Sequence, residues 1–123
     1  MLSLAPLKDR EEIKEIFKQK NIEYTEFSGV VSAVCQNETL GMCLYNLTKD
    51  KMVILHIEPL NDIPLADGIL RSTLHVAAEK SIMNAFYADT VPEEFLRKID
   101  FIKSDTEKTL QIDKLFKSCC NCG

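Results

Sequence analysis

A chain of 123 residues, 46% apolar and 28% charged, can bury roughly two thirds of the surface its unfolded form exposes, so it builds a core without disulfides or a structural metal. Disordered, collagen-like and disulfide-scaffold classes are excluded by that composition. With 15 Lys and Arg against 19 Asp and Glu, the net charge is −4; no basic face is evident for neutralising phosphates, so no nucleic-acid partner is expected.

The N-terminal Met-Leu-Ser-Leu-Ala-Pro-Leu lacks a basic segment ahead of a long apolar stretch, so no secretory signal is read there. Asp9-Arg10-Glu11-Glu12 has the spacing of a capping box, and Ile13, Ile16 and Phe17 follow at helical intervals, which predicts an amphipathic helix over residues 9–20. Three strand-length apolar runs come next, over residues 30–35, 41–47 and 52–57, joined by short polar connections of hairpin length. They predict an antiparallel meander. The third run is apolar at nearly every position, the pattern of a central strand covered on both faces. It is also the longest apolar run, with His56 inside it, and falls far short of the roughly 20 residues of a membrane span, so no membrane partner is expected.

Residues 58–66 carry two prolines and are expected to be irregular, with Asp67 capping a helix from Gly68 to about Lys80. A further strand over residues 83–88 makes a strand, crossover helix and strand unit, which requires a parallel pair. Asp89 or Thr90 then starts a short helix through Pro92, Phe95, Leu96 and Ile99; beyond Lys103, Leu110, Ile112, Leu115 and Phe116 fit a short strand or a docked helix equally well. The expected fold class is α+β, a mixed sheet of antiparallel meander plus one parallel crossover, flanked by helices. A single domain over residues 1–118 is followed by a cysteine-rich tail over residues 119–123.

This order resembles the GCN5-related N-acetyltransferase family, most closely over residues 52–101. Ile57-Glu58-Pro59 is similar to the apolar-acid-proline ending of that family's fourth strand, Gly68-Ile69-Leu70-Arg71 to the start of its cofactor helix, and the segment from Phe95 to Phe101 to its Lys-Leu-Gly-Phe ending. The resemblance implies direct transfer of an acetyl group from acetyl-CoA to a small-molecule or peptide amine. It implies Glu58 as the base, with a pKa raised by partial desolvation, and Ile57, Asp67, Gly68, Ile69, Leu70 and Arg71 as cofactor-binding residues.

The family's pyrophosphate loop, Gln/Arg-x-x-Gly-x-Gly/Ala, can be laid on residues 63–68 or 65–70. In both alignments the basic or amide position is apolar and one glycine is lost; Pro64 removes a donor, and Asp62 and Asp67 bring carboxylates to the place of a dianion. The position of the family's thiolate-donating tyrosine is Leu96, with Tyr87 as a substitute from another direction. His56 is expected to face the opposite side of the sheet from Glu58, and His75 to be structural or exposed. The alternative to an enzyme is therefore a catalytically impaired member that keeps the fold as a binding or interaction module.

Cys119 and Cys122 have a spacing that suits a metal or a redox disulfide, but no second pair completes four ligands. The tail is read as a mobile segment, with no metal site expected; a metal-linked or thiol-responsive homodimer is the alternative. Cys35 and Cys43 are expected in the core, and free thiols suit a cytoplasmic location.

Overall fold

In a computed structural model the chain is described over residues 2–98 and 109–110. Its elements run β1 (Leu2–Pro6), α1 (Arg10–Gln19), β2 (Ser28–Cys35), β3 (Glu38–Leu47), β4 (Met52–Glu58), α2 (Ile63–Glu79), β5 (Ala85–Tyr87), α3 (Glu93–Lys98) and β6 (Thr109–Leu110). The strands form one six-stranded sheet in the order β1-β2-β3-β4-β5-β6, antiparallel except for the parallel pair β4 and β5, which α2 connects. This is the expected mixed sheet, with β4 central. Of the tail segment, Thr109 and Leu110 are strand; Ile99, Phe101, Ile112, Leu115, Phe116 and the cysteines at 119, 120 and 122 lie outside the described residues.

The helices cover opposite faces. On one, α1 buries Ile13 and Phe17 against Val30 and Leu44, with Leu55 and Met42 packed around them. Its start follows from the sequence: the Asp9 carboxylate accepts the Glu11 N–H at 3.0 Å, one residue earlier than a capping box places that bond. Acidic Glu11 and Glu12 in the first turn and Lys18 in the last complement the helix dipole. On the other face, α2 lays Ala66, Ile69, Leu70, Leu74 and Ala77 on Val31, Cys43, Ile54 and Ile57, and α3 adds Phe95 and Leu96.

Two elements depart from the sequence reading. Residues 2–6 form an edge strand, β1, which five residues with a proline do not announce. Pro6 lies opposite Val31, next to the bonded pair made by Leu7 N–H and Val30 C=O at 2.8 Å. Bonded and non-bonded positions alternate in an antiparallel ladder, so Pro6 occupies a non-bonded one and its missing N–H costs the ladder nothing.

The second departure is α2, which starts at Ile63, not Gly68. Asp62, not Asp67, is its cap, and Pro64 sits in the first turn, where a missing N–H is tolerated. The two prolines therefore flank and open a helix instead of breaking one.

Gly41 and Gly68 are opposite cases. A Cβ on Gly41 would lie 2.5 Å from the Glu58 carbonyl oxygen and 2.7 Å from Pro59 Cδ, so only glycine lets β3 pass the end of β4. A Cβ on Gly68 would meet only Leu4 Cδ1, at 3.6 Å. Denaturant unfolding should therefore show Gly41→Ala destabilised by about 1–3 kcal/mol and Gly68→Ala stabilised by about 1 kcal/mol; a stabilising Gly41→Ala would contradict the close approach.

Candidate functional site

The carboxyl end of β4 is shaped by a bulge. Leu44 lies opposite His56 and Tyr45 opposite Ile54, so Leu55 is an extra residue with no partner on β3. The insertion resets the alternation: Ile54 and Ile57 pack toward α2, whereas Leu55 packs with the α1 cluster. His56 and Glu58, two residues apart, share a side. His56 Nε2 is 2.8 Å from Glu58 Oε1, which corrects the expectation that the two face opposite ways. The same oxygen is 2.6 Å from Nζ of Lys20, the C-cap residue of α1.

This geometry also corrects the expected electrostatics of Glu58. Partial burial pushes its pKa up, but hydrogen bonds and charge attraction from Lys20 and His56 outweigh that and hold it below the ordinary carboxylate value. A carboxylate held low is a weak acceptor for the proton of an ammonium.

Beside Glu58, β4 and β5 part. They pair through Met52, Val53 and Ile54 with Ala85, Phe86 and Tyr87, and the Ala88 N–H closes the ladder on the Ile54 carbonyl. The next carbonyl, that of Leu55, accepts the Thr90 hydroxyl at 2.5 Å. Four residues of β4, from Leu55 to Glu58, thus run past the end of β5.

The amino end of α2 faces the groove where the resemblance expects the cofactor's pyrophosphate. Asp62 accepts the Leu65 N–H on its carboxylate at 3.2 Å and the Ala66 N–H on its carbonyl at 2.9 Å; Pro64 has no N–H. An open groove of about 710 Å³ at this point is lined by Leu40, Pro59, Asn61, Asp62, Ile63, Pro64 and Leu65, with no cation among them. A pyrophosphate needs free N–H groups, close backbone approach and positive charge. This donor set offers a carboxylate and a proline, so it does not fit the group.

The other residues named for the cofactor lie further along α2. Gly68 is five residues past Ile63, about 7.5 Å along the axis. Ile69 and Leu70 are fully buried in the core, and Ile57 is buried beneath α2. Asp67 and Arg71 pair with each other at 2.9 Å as neighbours one turn apart. The structure therefore brings Ile57 and Glu58 together but does not bring Asp67, Gly68, Ile69, Leu70 and Arg71 to the helix end. Leu96 is wholly buried and has no proton to give. Tyr87 is 3% exposed, its hydroxyl has no partner among the described residues, and burial followed by the charge of Glu93 pushes its pKa up against the pull of Arg97.

Cys43 is core, its thiol pushed up to about 12 by burial, whereas Cys35, at the end of β2, is only half-buried; neither forms a disulfide. His75 is exposed, paired with Glu79 at 3.2 Å. Sequence reasoning missed the roles of Lys20, His56 and Asp62. The signals were present: an i,i+2 pair on one strand, and Asp two residues before a first-turn proline.

No protein-family profile matches the chain, and no curated protein does. Solved structures do. An aminoglycoside acetyltransferase from an uncultured soil metagenomic sample is 14% identical with a TM-score of 0.62, over 85% of this chain and 91% of its own. A ribosomal-protein-alanine N-acetyltransferase from Brucella melitensis is 15% identical with a TM-score of 0.61, over 85% and 94%. A predicted acetyltransferase from Clostridium acetobutylicum, solved with acetyl-CoA, is 15% identical with a TM-score of 0.59, over 93% and 98%. The chain has the fold of the GCN5-related N-acetyltransferases. No helix among the described residues is long and apolar enough to cross a membrane.

The sign of the Glu58 shift makes a pH prediction. A depressed carboxylate stabilises the fold above its unfolded pKa of 4.5, and that contribution is lost as pH falls through the folded value. Glu58→Gln should lower stability at neutral pH by about 1 kcal/mol or less, since the pair is part-exposed. The stability difference between wild type and variant should shrink in acid unfolding curves as pH falls below 4.5; a difference that grows toward acid would contradict the pairing.

Proposed function

We propose that this chain keeps the acetyltransferase fold as a binding or interaction module and does not carry out acetyl transfer from acetyl-CoA. The observation that carries the reading is the self-capped start of α2, where the Asp62 carboxylate takes the Leu65 N–H and Pro64 supplies none. An anionic cofactor would have to displace that carboxylate and bear its charge, with no cation lining the groove to offset it. The Glu58 ion pair supports the same reading, because the strand-end carboxylate is committed to Lys20 and His56.

Acetyl transfer to a small-molecule or peptide amine is the second reading. It is favoured by the buried hydroxyl of Tyr87, which has no partner among the described residues and keeps its proton, and by the acetyl-CoA in the Clostridium acetobutylicum structure of the same fold. In that reading an amine acceptor takes the place of Lys20 at Glu58 Oε1, freeing the carboxylate to accept a proton. Cys35 and Cys43, neither of them in a disulfide, support a reducing, cytoplasmic setting for either reading.

Titration calorimetry with acetyl-CoA separates the two. Wild-type protein should give no binding heat up to millimolar ligand, and a variant carrying Asp62→Gln, Pro64→Gly and Leu65→Gly together should gain measurable binding. Micromolar binding by the wild type would establish the second reading, and Glu58→Gln should then lower turnover far more than affinity.

A further inference from the structure

We propose that the carboxyl end of α2 forms one wall of a binding site for a small organic anion, a carboxylate with an apolar body. The site lies at the opposite end of α2 from the groove beside Asp62, and the helix's 17 residues set the two roughly 25 Å apart. A cavity of about 390 Å³ opens here, lined by Phe27, Leu47, Thr48, Lys49, Lys80 and Ile82. That volume falls in the range of small-molecule sites.

Each wall is fixed by local structure. In the loop before β2, the Arg10 guanidinium donates to the carbonyls of Ser28, Thr25 and Glu26 at 2.8, 3.3 and 3.3 Å, and the Phe27 N–H bonds the Thr25 hydroxyl at 3.1 Å. The tied loop presents Phe27 with 47% of its surface exposed. A ring held in that way contributes little to the core, but a ligand can use it without first ordering the loop. In the hairpin between β3 and β4, the Thr48 hydroxyl accepts the N–H groups of Asp50 and Lys51 at 3.4 and 3.3 Å, which sets Lys49 at the rim. At the helix end Ser81 is left-handed, with φ 62°, and the N–H groups of Ser81 and Ile82 close on the Ala78 and Ala77 carbonyls, both at 2.9 Å. The closure folds Ile82 back beside Lys80 and takes up two carbonyls that would otherwise repel an anion.

Charge selects the ligand. The lining holds two cations and no acid, in a chain whose net charge is −4. Neither Lys49 nor Lys80 makes an ion pair among the described residues. Lys80 also lines two adjoining cavities that bring one acid each, Glu79, paired with His75 at 3.2 Å, and Glu26; neither acid lines this one. A cationic ligand would meet two like charges here, whereas an anion satisfies both. The apolar body rests on Phe27, Leu47 and Ile82, and the carboxylate reaches the two ammonium groups. Phe27, Lys49 and Lys80 are all exposed, so changes there test the site without disturbing the fold.

Fluorescence titration of the full chain tests this with two probes of like shape, the anion anilinonaphthalene sulfonate and the neutral N-phenylnaphthylamine. Wild type should bind the sulfonate saturably, one to one, and decanoate should displace it while decanol does not. Lys49→Gln with Lys80→Gln should weaken the sulfonate about tenfold and leave the neutral probe unchanged. Phe27→Ala should weaken both probes about tenfold, with an unaltered circular dichroism spectrum. Lys14→Gln with Lys18→Gln, on α1, should change neither affinity. No binding by the wild type, binding indifferent to the Phe27, Lys49 and Lys80 variants, or an equal loss in the α1 variant would overturn the proposal. So would sulfonate binding that weakens as protein concentration rises, which would give the cavity to a second copy of the chain.

Discussion

The capping of α2 by Asp62 is the interaction on which the rest of the site depends. A helix start leaves four N–H groups unsatisfied, and those groups are what make a helix end attractive to phosphates. Here the chain removes two of them itself: the Asp62 carboxylate takes the Leu65 N–H, and Pro64 has none, while the Ala66 N–H makes the first intrahelical bond to the Asp62 carbonyl. Starting the helix at Ile63 also rotates and translates everything after it. Ile69 and Leu70 become core, Gly68 becomes an ordinary helical residue with room for a side chain, and Asp67 and Arg71 satisfy each other.

The bulge at Leu55 governs the other half. Without the extra residue His56 and Glu58 would turn toward α2, and an imidazole and a carboxylate would enter an apolar cluster. With it they face α1, whose C-cap residue Lys20 reaches Glu58 at 2.6 Å. The packing of Gly41 under the Glu58 carbonyl fixes where the strand ends. The site is thus a Glu58 carboxylate paired with Lys20 and His56 beside a groove that carries a carboxylate and no cation.

Much of the fold was legible because hydrophobic period and element order are robust to local detail. The meander, the doubly covered β4, the parallel β5 and the α1 face of Ile13 and Phe17 all follow from pattern alone. The misses are of another kind. β1 is a strand because β2 pairs with it, a tertiary cause that five residues cannot display. The start of α2 was hidden by reading two prolines as breakers when one of them sat in a permitted first-turn position. The charge state of Glu58 depends on Lys20, which is 38 residues away in the chain and adjacent only after folding. The His56 relation needed no structure, since residues two apart on a strand share a face.

The central claim is that the α2 end is closed to a phosphate ligand by its own cap. Amide chemical shifts of Leu65 and Ala66, followed by heteronuclear NMR while coenzyme A is added, address it most directly. The account predicts that these resonances do not move as ligand rises into the millimolar range. Saturable shifts centred on Leu65 and Ala66, with release of the Asp62 cap, would contradict it.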